Sequence, residues 1–178
     1  MTQDYYPPPA FYFTVTVIGS GAALALLTGI DASFKEVSGI RAEFGTEEVT
    51  EGGENRFVHR LPQAAKYANL VMKRGVVTKD SFLAEWVGQT IGSTLSLPII
   101  PQNLLVSLLN EDGFPAIAWA FVNAWPVRWE VDPLNSMNND ILVETLEFSY
   151  NYFERFNLGG PGAMAVKLAQ FSAKLASL

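Results

Sequence analysis

Between Trp119 and Val131 the large apolar side chains Trp119, Phe121, Trp125, Val127, Trp129 and Val131 all occupy odd positions. A helix would scatter such a set around its circumference, whereas an extended chain turns every second residue to one side. The stretch therefore reads as one face of a long strand or strand pair. Pro126 lacks an amide donor and requires a bulge, an edge or a break at that point. Upstream, Asn103–Leu109 reads as another strand leading into Asn110-Glu111-Asp112-Gly113, a hairpin turn signal.

The remaining chain extends this β-rich pattern. Consecutive prolines fix φ and donate no hydrogen bonds, so Met1–Pro9 reads as an extended arm. Phe11–Ile18 follows as a strand, with Thr14-Val15-Thr16-Val17 alternating, and Gly19-Ser20-Gly21 ends it. Ala22–Ile30 is apolar and fits either a helical turn or a strand edge. Ser33–Phe44 reads as a strand, with Phe34, Glu36 and Ser38 on one face, Lys35 and Val37 on the other, and a bulge or bend at Gly39. Gly45–Lys66, rich in Glu, Gly and Asn, reads as a long functional loop, because Phe57, Val58 and Leu61 within it argue against plain disorder. Tyr67–Arg74 is the next strand.

A helix is expected over 79–91, with Thr78 as N-cap, Asp80 in its first turn and Gly92 as its stop. Its stripe of Phe82, Leu83, Trp86, Val87 and Ile91 is most simply core packing against a sheet. Pro133–Asn139 reads as a loop and Ile141–Phe156 as a final long strand, whose Leu142, Leu146, Phe148, Tyr150 and Tyr152 share a face interrupted only by Glu144. Leu158-Gly159-Gly160-Pro161-Gly162 then punctuates the chain. Ala163–Leu178 is an amphipathic helix with Met164, Leu168, Phe171, Leu175 and Leu178 along one stripe. So short a helix is marginal alone in water, so the stripe must dock on its own domain or on a neighbour. The expected organisation is a β domain over 1–157 and a Gly-rich hinge with a C-terminal helix over 158–178. The fold class is mainly β, of the α+β type: an antiparallel β-sandwich or barrel with one packed helix.

Composition narrows the function. Charged residues make up 17% of the 178, below the roughly 25% of an ordinary domain, which fits either extra surface buried against copies or partners or simply a β-rich, aromatic-rich core. The net charge is −6, and no basic stripe of a nucleic-acid binder is visible, so no specific nucleic-acid binding is expected. The absence of cysteine excludes disulfides and thiolate metal sites and fits folding in a reducing cytoplasm. No basic segment leads into an apolar one at the N-terminus, and no apolar run reaches the ~18 residues of a membrane span. The expected product is cytoplasmic when synthesised.

Chemistry is sought with little return. His59, the single histidine, lies between Val58 and Arg60 with no nucleophile elbow nearby. One histidine without cysteine leaves only scattered carboxylates for a metal, and Glu111-Asp112 lack calcium-loop spacing. Glu47, Glu48, Glu51 and Glu54 read as a solvated acidic loop rather than an acid/base pair. Val17-Ile18-Gly19-Ser20-Gly21-Ala22-Ala23-Leu24 resembles the start of a dinucleotide-binding fingerprint, but Leu24 replaces the third glycine and no βαβ succession follows. No catalytic residue, metal or cofactor is expected. A nucleotide-dependent enzyme using the Gly19-Ser20-Gly21 turn stands as the alternative from another class.

Several stretches in order carry a family likeness: the Tyr6-Pro7-Pro8-Pro9 lead, Phe34-Lys35-Glu36-Val37-Ser38-Gly39, Glu51-Gly52-Gly53-Glu54-Asn55-Arg56-Phe57, Leu70-Val71-Met72-Lys73-Arg74-Gly75, Asn123-Ala124-Trp125-Pro126-Val127 and Glu144-Thr145-Leu146-Glu147-Phe148. Together they resemble the inner tail-tube proteins of contractile phage tails and phage-tail-like injection systems. The resemblance implies a sandwich flanked by a helix, six-membered rings closed by sheets across subunits, and stacking into a rigid tube inside a contractile sheath. It implies a structural subunit without catalytic activity. Its partners would be its own copies, sheath, baseplate or terminal tube proteins, and lumen cargo, in an assembled tail or injection particle. By this resemblance Gly45–Lys66 reaches a neighbouring subunit or ring, with Glu51, Asn55, Arg56 and Phe57 as stacking contacts. Met164, Leu168, Phe171 and Leu175 are expected to dock the C-terminal helix on a neighbour or adjoining protein. The apolar Ala22–Ile30 insert and the added helix depart from the family pattern. They leave open a main tube subunit, a specialised terminal or baseplate ring, or a secreted ring-forming effector carrier.

Overall fold

A computed structural model of the chain describes residues 12–18, 34–53, 56–76, 81–94, 96–134, 137, 140–158, 166–167, 169–171 and 173. In chain order these form β1 (Phe13–Ile18), β2 (Phe34–Ser38), β3 (Ala42–Val49), β4 (His59–Tyr67), β5 (Leu70–Gly75), α1 (Phe82–Gly92), β6 (Gln102–Leu109), β7 (Pro115–Val131), β8 (Val143–Ser149) and β9 (Tyr152–Asn157). Every strand pairing among them is antiparallel. A dinucleotide fold needs parallel strands joined through a helix, and the described residues contain none. The Gly19-Ser20-Gly21 turn, the Met1–Pro9 arm and Ala22–Ile30 lie outside the described residues.

Two sheets share one strand. β6 and β9 flank the N-terminal part of β7, and β1 pairs with β6. The C-terminal part of β7 pairs with β8, which pairs with β5, which pairs with β2. Between these sheets Val15, Val17, Leu104, Val106, Phe121 and Ala124 meet Leu70, Met72, Leu146, Phe148 and Tyr150. Such buried side chains, each worth about 1.5–3 kcal/mol of transfer free energy, dominate the stability of a fold of this kind. The hairpin between β6 and β7 closes as expected: Gly113 N donates to Asn110 O at 3.0 Å and Asn110 N to Phe114 O at 2.8 Å. Gly113, at φ 80°, supplies the left-handed residue.

The odd-position stripe of β7 does not keep to one face. Trp119 and Phe121 turn into the core. Asn123 then adopts φ 52°, the pairing with β6 slips there, and Ala124 becomes the inward residue. A second slip between Pro126 and Arg128 restores the alternation, so Trp129 shares a face with its partner Leu146. Trp125 therefore lies on the opposite face from Phe121 and Trp129. Each extra residue in a bulge reverses the side-chain sense of everything beyond it.

Other boundaries also move. Ser33–Phe44 divides at Gly39, whose φ of 85° no ordinary strand residue adopts. Gly45–Lys66 is not a loop: β3 and β4 form a hairpin of their own, with pairs from Ala42↔Tyr67 to Val49↔His59. Ile141–Phe156 breaks at Tyr150–Asn151 into β8 and β9, both along the same edge of β7. The helix cap is Ser81, whose hydroxyl accepts from Ala84 N at 3.3 Å. Leu83, Trp86 and Val87 are buried while Phe82 and Ile91 stay exposed, so the packed stripe is narrower than expected. The Trp86 ring stacks on Phe148 at 5.5 Å, and its Nε1 donates to Ile100 O at 3.1 Å.

A second apolar layer covers the outer face of the first sheet. Leu105, Ala118, Ala120, Val122 and Leu158 pack there with Phe171 from the helical C-terminal residues. The Phe171 ring meets Phe156 edge-on at 5.6 Å. Phe171, expected at an interface, is thus buried on its own chain, because that sheet face would otherwise leave a run of alanine and valine in water. Met164, Leu168 and Leu175 lie outside the described residues.

Candidate functional site

The β3–β4 hairpin is the part of the chain least used by its own core. Apart from Gly45, Ala65 and Tyr67, its described residues are exposed. Its base is held by Ala68 N donating to Arg41 O at 3.2 Å, and by the Tyr67 ring against Tyr150 and Phe153 at 5.9 and 5.8 Å. Pairing sorts the side chains into two faces. Ala42, Phe44, Thr46 and Glu48 of β3 oppose Tyr67, Ala65, Pro62 and Arg60 of β4 on one face; Glu47 and Val49 oppose Leu61 and His59 on the other.

Each face mixes charge with large apolar groups left in water. Phe44 is 70% exposed, Phe57 53% and Leu61 53%. Glu48 accepts from Arg60 Nε at 3.2 Å, and Arg41 pairs with Glu43. Near the turn Phe57 meets the His59 ring edge-on at 5.0 Å, while His59 Nε2 lies 3.7 Å from Glu51 Oε1. The expected contact residues Glu51, Arg56 and Phe57 therefore gather at the end of one projecting arm, all exposed; Asn55 lies outside the described residues. Phe44, Val49 and Leu61 were not singled out as contacts. Their signal was a large apolar residue amid acidic ones on a strand with no buried face.

A buried polar cluster fixes the platform from which the arm extends. Arg74 on β5 donates through Nε to Glu144 Oε1 on β8 at 2.5 Å and through Nη1 to Ser81 Oγ at 3.2 Å. Trp129 Nε1 donates to the other oxygen of Glu144 at 3.0 Å. The Phe34 ring lies 5.7 Å from the guanidinium carbon. Glu144, an interruption when read along its own strand, thus ties β5, β7, β8 and the cap of α1 together. At the other end of β8, Tyr150 packs against Tyr67 and Phe121. Burial, helped by Tyr67, pushes its phenol up to about 12. Among the described residues no group of three or more His, Asp or Glu side chains could hold a metal ion, and no helix is long and apolar enough to cross a membrane.

Comparison with known proteins places this architecture. A family model described as T4-like virus tail tube protein gp19 matches residues 9–154. A search of curated protein sequences returns no match. Among solved structures, the chain is similar to one in the cryo-EM structure of the anti-feeding prophage tube-terminating cap, with 22% identity over 88% of this chain and 95% of that one and a TM-score of 0.71. A chain in the sheath-tube complex of an extracellular contractile injection system, PVC, in its extended state matches at 22% identity over 86% and 94%, TM-score 0.70. A chain in the six-fold symmetrised anti-feeding prophage baseplate matches at 23% identity over 87% and 99%, TM-score 0.68. At these identities the likeness establishes a shared fold.

Proposed function

Because the chain belongs to the T4-like virus tail tube protein family, we propose that it is a non-catalytic subunit that closes into six-membered rings and stacks into a conduit. The observation that carries this reading is the β3–β4 arm, which leaves Phe44, Phe57 and Leu61 in water. An isolated two-stranded hairpin is marginal in water, and exposed apolar strands invite association. A neighbouring copy or ring satisfies both conditions, with Glu51, Asn55, Arg56 and Phe57 at the contact. Six-fold symmetry is described for the baseplate that contains one structural relative, and a closed ring lets each copy offer the same patch to the next. Sheath, cap and baseplate assemblies contain the relatives. The partners proposed for this chain are accordingly a contractile sheath around the tube and terminal proteins at its ends. The subunit is made in the cytoplasm and assembled into a tail or injection particle. Its role is mechanical: a stiff pipe through which cargo passes.

Negative-stain electron microscopy of the purified protein at high concentration tests this. Rings or stacked tubes with a central channel are the expected result. A chain that stays monomeric at every concentration, alone and with its sheath and baseplate partners, would overturn the proposal.

A further inference from the structure

The single histidine of the chain, His59, is set by the fold at the outer end of the β3–β4 arm, opposite Val49. Two neighbours hold it there. The Phe57 ring meets the imidazole edge-on at 5.0 Å, and Glu51 Oε1 lies 3.7 Å from its Nε2. The His59 and Glu51 side chains are 44% and 66% exposed, so in a lone subunit water screens the pair and its attraction counts for little.

The charges around this pair are mostly of one sign. Glu47 shares the hairpin face of His59, together with Val49 and Leu61. On the opposite face Glu48 and Arg60 offset each other. Between Ala42 and Tyr67 the sequence sets Glu43, Glu47, Glu48, Glu51 and Glu54 against Arg56, Arg60 and Lys66. Histidine is the one side chain that ordinarily changes charge between pH 5 and 8, a range in which carboxylates stay ionised and lysine and arginine stay protonated. The fold has placed the only such group of this chain at the end of the arm.

We infer that the arm tip is a proton-operated latch between copies: docking takes up a proton at the His59–Glu51 pair, so acidification tightens the contact and higher pH loosens it. The inference rests on the tube reading above, which puts the arm against a second copy. Docking strips water from the tip, and a carboxylate is costly to bury without a compensating charge. The second copy is itself acidic, with a net charge of −6, and adds repulsion. One proton held between imidazole and carboxylate leaves the pair neutral overall, whichever of the two carries it. An association that binds protons strengthens as the pH falls, by linkage. An uptake averaging about one-third to two-thirds of a proton per copy between about pH 7 and 5.5 lowers the free subunit concentration in equilibrium with tubes by roughly three- to tenfold.

Pelleting tubes of the full chain across that window, at fixed ionic strength, and measuring the protein left in solution tests the latch. The parent's soluble concentration should fall roughly three- to tenfold on acidification, whereas His59→Gln and Glu51→Gln tubes should hold within about twofold. A parent with no slope, or a His59→Gln variant that keeps the parent's slope, overturns the latch while leaving the tube intact. If glutamine at position 59 prevents assembly, the parent decides the matter. Its heat of disassembly on dilution, measured near pH 6.5 in two buffers of unlike ionisation enthalpy, should report proton release, and Glu51→Gln should abolish it. No release from the parent overturns the latch. If the parent forms neither rings nor tubes at any pH, alone or with its partners, the tube reading itself fails and the latch falls with it.

Discussion

Replacing Glu144 with alanine isolates the buried cluster that joins β7, β8 and β5 at one end of their platform. Arg74 and Glu144 side chains are 1% and 5% exposed, and they meet at 2.5 Å. Truncation removes the buried carboxylate that Arg74 Nε bonds and the acceptor of Trp129 Nε1 at the same time. Breaking a buried pair from one side costs about 3–5 kcal/mol, because the stranded charge keeps its desolvation penalty. For a domain of this size each kcal/mol shifts the melting temperature by about 2–4 °C, so a fall of roughly 6–20 °C is expected. The double variant Arg74→Met, Glu144→Leu removes both charges and keeps the volume. It should return to within about 1 kcal/mol of the parent or exceed it. Urea denaturation reads both as shifts in midpoint at unchanged slope. Protein concentration is held fixed, because assembly adds its own stabilisation by mass action. A single variant costing less than about 1 kcal/mol, or a double variant no better than the single, would refute the reasoning.

Three more perturbations reach other parts of the molecule. The Tyr150 hydroxyl is buried with no hydrogen-bond partner, so Tyr150→Phe should be neutral or stabilising by up to ~1 kcal/mol in urea melts. The folded phenol's upward shift, from 10.0 to about 12, makes the stability it contributes complete below pH 10 and lost as pH climbs toward 12; the phenylalanine variant should flatten that slope. Gly39→Ala places a Cβ 1.9 Å from the Asn69 carbonyl oxygen at φ +85°; backbone strain alone costs about 1–2 kcal/mol, and an unchanged thermal melt would contradict the placement. Joint Phe57→Ala and Leu61→Asp substitution should change subunit stability by less than about 0.5 kcal/mol yet shorten or abolish tubes under the microscope; full-length tubes would remove the arm from the interface.

Local signals carried the elements that depend on local chemistry. Asn110–Gly113 announced its turn because the turn's bonds lie within four residues. Leu83, Trp86 and Val87 announced a helix face because the period is written in adjacent residues. What failed depended on a partner elsewhere. The bulges at Asn123 and between Pro126 and Arg128 exist only relative to β6 and β8, so an unbroken stripe in the sequence changes face twice in space. The β3–β4 hairpin went unread because neither of its faces is buried by this chain, and burial is what produces alternation. Glu144 looked like a flaw in an apolar face because its counter-charge, Arg74, lies 70 positions away. The expected contact residues Glu51, Arg56 and Phe57 gather at the tip of the arm, where the sequence sets aromatic residues amid acids. The fate of Phe171 was not legible, since a stripe on a helix does not name the surface that covers it.

β7 is a single covalent chain of 17 residues, about 55 Å long when extended, and both layers of the sandwich are built on it. β8 and β9 run beside it as a second ply, spliced at Asn151, whose amide bonds Val122 O at 3.0 Å. Two sheets held only by side chains can slide past one another under thrust, since dispersion contacts resist shear weakly and re-form after each step. Here sliding would have to stretch or snap a backbone common to both. A load applied along that strand meets a strut, and the sandwich deforms as one body rather than delaminating.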